Sequence, residues 1–152
     1  MSYTLDTLQD HVGRSLGTSS WVTVGQDRID AFADCTGDRQ WIHTDPARAA
    51  GSALGGTIAH GYLTLSLLPM MTAEIGLVPA GVSSALNYGS DKVRFLAPVP
   101  SGSRVRAHVE LVSAAEKRPG RVLLATRSTV EIEGHDTPAL VADTLAMLLV
   151  DG

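Results

Sequence analysis

The chain has 152 residues, of which 44% are hydrophobic and 18% charged, with a net charge of −4. That length holds one folded domain, taken as residues 1–152, and the composition excludes disordered and collagen-like classes. The acidic balance argues against nucleic acid as a partner, because a protein displacing counterions from phosphates needs a basic face. In chain order, TLDTLQDHVG sets Leu5, Leu8 and Val12 on one helical face between an N-cap at Thr4 and a stop at Gly13. SSWVTV has the β-branched and aromatic content of a strand. GQDRIDAFADCTG spaces Ile29, Phe32 and Ala33 as a helix does, and Gly37 ends it. TGDRQWIH then runs into a loop, and DPARAA starts a short helix with Asp45 as cap and Pro46 at its first position.

GGTIAHGYLTLSLLPMMTAEIG is apolar on every face beyond Gly61, as befits a central helix surrounded by protein, with Pro69 expected to kink it. GYLTLSLLPMM is about half the ~20 residues that span a bilayer, so no membrane association is expected. From Ser83 the period becomes two. In SRVRAHVEL, Val105, Ala107, Val109 and Leu111 point one way, while Arg104, Arg106, His108 and Glu110 point the other. RVLLATRSTVEIE and ALVADTLAMLLV follow across turn material at KRPG and GHDTP, and the last reads as a central strand. Short turns imply antiparallel pairing of consecutive strands. Helices gathered ahead of a run of strands imply an α+β domain, a sheet covering one face of a central helix. The single cysteine, Cys35, and an opening MSYTLDTLQD without basic or apolar leader regions point to the cytoplasm.

Asp38 and His43 are five positions apart in one loop, where a carboxylate and an imidazole can face one water as an acid/base pair. The same spacing also suits an Asp that caps local amides and a His that is merely satisfied. A metal reading would gather Asp38, His43, Asp45 and His60, but no helical HxxxH or clustered Cys/His pattern supports it. Cys35 reads as a small buried residue rather than a nucleophile, and Thr64 and Ser66 as back-bonded within the helix. Gly61 opens the central helix, where free N–H groups suit an oxyanion; tight packing of helix on sheet explains a glycine there equally well.

TGDRQWIHTDPARA resembles the signature of the MaoC-like, (R)-specific enoyl-CoA hydratase family, whose typical form is Gly-Asp-x-Asn-Pro-x-His-x-Asp. IAHGYLTLSLLP resembles the helix that follows it, and the similarity continues through LNYGSDKVRFLAPVPSG over nearly the whole chain. The nearest branch is the single hot-dog one that includes nodulation protein N-like dehydratases. The resemblance implies a hot-dog fold, a homodimer that pairs two sheets, and an acyl-CoA thioester substrate with no metal or redox cofactor. It implies a catalytic role for Asp38 and His43, an oxyanion hole at Gly61, and substrate-binding or orienting roles for Gln40, Trp41 and His60. Gln40 stands where the family has Asn and Trp41 where it has Pro. The longer amide stem would alter an orienting hydrogen bond, and the indole would narrow an acyl tunnel. Two other activities fit the fold: a hot-dog thioesterase, for which Glu74 sits far along the helix, and an acyl-CoA-binding partner subunit without turnover.

Overall fold

The computed structural model describes residues 3–150. A 3₁₀ turn over Leu5–His11 replaces the expected α-helix; Leu8 alone is buried from it, too little apolar surface to support a longer element. Strands β1 (Ser15–Thr18) and β2 (Val22–Val24) follow, then α1 (Gln26–Thr36). Gly37 ends α1 in the left-handed conformation at φ 81°, donating its N–H back to Ala33. The expected loop after it contains a helical turn, α2 (Trp41–Thr44), and α3 (Pro46–Ala50) begins as the sequence indicates, with the Asp45 carboxylate accepting from Arg48 N–H at 3.0 Å.

The central helix is in two pieces, α4 (Gly61–Ser66) and α5 (Leu68–Ile75), with the join at Leu67. Pro69 lacks the N–H that would continue the ladder, and Leu67 N–H turns instead to Thr64. The two pieces bury Leu63, Leu67, Leu68 and Met71 against Val105, Val109, Val130 and Leu140 of the sheet. Their other face is open, with Tyr62 70% exposed and Met70 outward as well, so the helix is not enclosed on every side as its hydropathy implies.

The sheet comprises β3 (Ser84–Phe95), β4 (Ser103–Arg118), β5 (Arg121–Ile132) and β6 (Leu140–Leu149) with the two short strands, in the order β1-β4-β5-β6-β3, β2 also pairing with β4. All pairings are antiparallel. The alternation in β4 holds, with Val105, Ala107, Val109 and Leu111 buried, and β6 is an interior strand as its two apolar faces require. β3 departs from nearest-neighbour pairing: it lies on β6 rather than β4. The segment 96–102 carries the chain away from β3, with Leu96 and Ala97 donating to Ala139, Val99 accepting from Ala59, and Gly102 donating to Val24. A curved antiparallel sheet around a central helix is the hot-dog arrangement. Among the described residues no helix is long and apolar enough to cross a membrane.

Candidate active site

Three segments meet at one end of the central helix: the loop after α1, the turn α2, and residues 57–61 leading into α4. Gln40 supplies the carbonyl that accepts from His43 N–H (2.9 Å) and Thr44 N–H (3.2 Å), which coils the chain and turns His43 inward, 7% exposed. The His43 ring is 2.7 Å, through Nδ1, from the carbonyl oxygen of Ile58. A carbonyl only accepts, so Nδ1 carries the hydrogen of this bond, and Nε2 is the ring nitrogen left for chemistry.

His60, 2% exposed, lies against His43 with ring centroids 3.8 Å apart and planes inclined by 27°, and Phe32 meets it at 4.9 Å in a tilted contact. His60 Nε2–H donates to the main-chain carbonyl of Asp38 at 2.9 Å, while its Nδ1 has no hydrogen-bond partner. One carboxylate oxygen of Asp38 and one ring nitrogen each of His43 and His60 lie within 4.8 Å of one another. One water spans such a gap with two hydrogen bonds. A shared metal ion fits these residues poorly. One nitrogen of each ring is already committed to a main-chain carbonyl, and the stacked planes hold the remaining nitrogens in separate layers.

His43 and Gly61 line a common cavity of about 320 Å³, walled by Ile58, Thr64, Phe95 and Val99. At Gly61 a Cβ would stand 3.0 Å from the Phe95 ring, which also meets Tyr62 edge-on at 5.7 Å. The missing side chain therefore accommodates an aromatic at the mouth of the cavity. Gly61 is also the first residue of α4, whose leading N–H groups have no acceptor within the helix.

Of the other residues singled out in the sequence, Gln40 has an exposed side chain. Trp41 lies outside the cavity wall with the Arg48 guanidinium 4.2 Å over its ring. Asp45 is committed to capping α3. Cys35 is exposed, not buried as expected, because it falls on the outward face of α1. Thr64 and Ser66 bond back to His60 and Leu63 carbonyls. Glu74 accepts from the main-chain N–H and hydroxyl of Ser20, fastening the β1–β2 connection. Arg104 and Arg106 pair with Glu133 and Glu131. The side chain that sequence reasoning missed is Gln26, which donates to the His43 carbonyl at 2.7 Å. No local pattern marks it, since the partners that tie it to the site are 17 and 31 positions away.

With this geometry in hand, similarity to known proteins is informative. Residues 7–133 match the family described as MaoC like domain. The chain is 50% identical over 133 residues to 3-hydroxyacyl-thioester dehydratase Z of Mycobacterium tuberculosis, spanning 88% of this chain and 87% of that protein. It is 44% identical over 144 residues to nodulation protein N of Rhizobium meliloti, spanning 94% and 89%. The fold superposes on the (R)-hydratase of A. caviae involved in PHA biosynthesis with a TM-score of 0.73 at 26% identity, covering 89% of this chain and 94% of that one. The chain belongs to the MaoC-like dehydratase family of hydro-lyases.

Proposed function

We propose that the protein is a cytoplasmic (R)-specific enoyl-CoA hydratase of fatty-acid metabolism. It adds water reversibly and syn across a trans-2-enoyl-CoA to give an (R)-3-hydroxyacyl-CoA. The observation that carries this reading is the approach of the Asp38 carboxylate and a His43 ring nitrogen to within 4.8 Å, beside a cavity that His43 shares with Gly61. One water held between the two groups would attack the β-carbon. Asp38 takes its proton, and His43 in its imidazolium form delivers the Nε2 proton to the α-carbon on the same face; the proton held by Asp38 then returns to Nε2, so both groups end as they began. With Nδ1–H fixed on Ile58, Nε2 is the atom through which that proton moves. Negative charge gathers on the thioester oxygen, and the Gly61 N–H receives it; loss of such a donor typically raises a barrier by ~3 kcal/mol.

The reading extends to a homodimer. β3 is an edge strand with almost every residue exposed, Tyr88 at 63% and Phe95 at 46%, and Tyr62 and Met70 add apolar surface on the helix. An open edge strand that carries exposed aromatic side chains invites pairing, and a second copy would cover it.

The test is incubation of the purified protein with trans-2-enoyl-CoA esters of graded length while following loss of the conjugated double bond. Appearance of the (R)-3-hydroxyacyl-CoA supports the proposal. Release of free thiol would replace it with a thioesterase, and binding without turnover with a non-catalytic subunit. The engagement of Glu74 by Ser20 disfavours the thioesterase, which needs a free acidic group on the central helix.

A further inference from the structure

His43 is mounted on a single helical turn of four residues. Such a turn cannot hold itself in place: the carbonyls of its last residues have no donor within the helix, and Pro46 just beyond brings no N–H. The side chain of Gln26, at the start of α1, fills that gap. Its Nε2 gives one hydrogen to the His43 carbonyl at 2.7 Å and lies 2.8 Å from Oδ1 of Asp30, while its Oε1 accepts from the hydroxyl of Thr57, a buried residue. The amide has one sensible orientation, because a main-chain carbonyl and a carboxylate can only accept and a hydroxyl can donate.

The residue after Thr57 is Ile58, whose carbonyl holds the His43 ring at Nδ1 and whose N–H donates to the Ile42 carbonyl at 3.0 Å. The main chain and the ring of His43 are thus referred to the same two residues, Ile58 directly and Thr57 through Gln26. Thr57 is in turn fixed where its carbonyl accepts from Ser101 N–H at 2.9 Å. We propose that Gln26, braced by Thr57, is a positioning residue for His43. It sets the height and tilt of the imidazole so that Nδ1–H stays on Ile58 and Nε2 stays on the reacting water. This rests on the reading of His43 as the proton carrier.

Gln26→Met keeps the length of the side chain and removes all three hydrogen bonds. On the scale at which a small misplacement of a catalytic group lowers a rate, kcat should fall about tenfold, with KM for the enoyl-CoA within about twofold. The ¹⁵N resonances of the His43 ring, assigned by their loss in His43→Gln, should move from the Nδ1–H tautomer toward a mixture. Thr57→Val should act in the same direction by about threefold, and it serves if Gln26→Met does not fold. A Gln26→Met protein with kcat within twofold of the parent, or one whose His43 resonances are unmoved, overturns the proposal. If the parent protein itself hydrates no enoyl-CoA, the functional reading fails separately and the imidazole resonances alone decide the role of Gln26.

Discussion

The imidazole of His60 lies nearly flat on that of His43, 3.8 Å between centroids, and the same ring donates its Nε2–H to the main-chain carbonyl of Asp38. One buried side chain therefore touches both members of the candidate proton-transfer pair without needing to exchange a proton itself. His60→Phe keeps an aromatic wall against His43 and deletes the donor to Asp38. A lost buried hydrogen bond costs about 1–3 kcal/mol, and the lower end applies because Asp38 is exposed and its carbonyl can turn to water. The expected outcome is a folded protein with kcat reduced about tenfold, checked by steady-state kinetics together with a thermal melt.

Gly61→Ala tests the close fit of that glycine against Phe95. The added methyl meets the Phe95 ring at 3.0 Å, and Phe95, 46% exposed, is free to swing outward. Alanine is the better helix former by up to about 1 kcal/mol, so stability should change by less than that in either direction. Hydration should nevertheless fall about tenfold as the displaced ring alters the mouth of the cavity. Adding Phe95→Leu should restore part of the loss. Unchanged activity in Gly61→Ala would show that the contact with Phe95 does not shape the cavity.

The exposed edge of β3 gives a prediction on assembly. Tyr88→Lys replaces an exposed aromatic by a charge in the middle of an open edge strand. Sedimentation should report a dimer for the parent chain and a monomer for the variant.

Two carboxylates on the sheet set the acid limit of stability. The hydrogen bonds from Arg127 hold Asp143 below the usual 3.8, and those from Arg106, then His108, hold Glu131 below the usual 4.5. A depressed folded pKa adds stability that is complete above the unfolded value and is lost as pH falls through the folded one. Both pairs face solvent, so each contributes on the order of 0.2–1 kcal/mol at neutral pH. Asp143→Asn should lower the melting temperature at pH 7 by a small amount and leave it nearly unchanged near pH 2. At the alkaline end burial pushes the Tyr3 phenol from 10.0 up to about 12, with its hydroxyl on the Leu77 carbonyl. The neutral phenol is the folded form, so its stabilisation is complete below pH 10 and lost between pH 10 and 12. Tyr3→Phe should flatten that part of a melting-temperature profile.

The parts of the fold that the sequence makes legible are those written in local period. β4 alternates because one face meets the core and the other meets water, and α3 begins where Asp45 can cap it and Pro46 needs no N–H. The elements that sequence reasoning missed are held by distant partners. β1, SLGT, has no strand signal of its own and exists because β4 extends past β2 to offer it an edge. α2 is too short to nucleate and forms because Gln26 and Ile58 grip His43. The partition of the central helix was foreshadowed by Pro69, but its exposed face was not, since hydropathy does not distinguish an apolar side chain covered by its own sheet from one left open. At the site, the pairing of Asp38 with His43 follows from a short loop. The stack with His60 depends on where α4 begins.

Hydration of crotonyl-CoA by the parent protein and by Asp38→Asn and His43→Gln, with each variant checked for native circular dichroism, tests the central claim most directly. The account predicts that the parent yields the (R)-3-hydroxy product and that each folded variant is slower by at least ~100-fold. Parent-like turnover in both variants would contradict it.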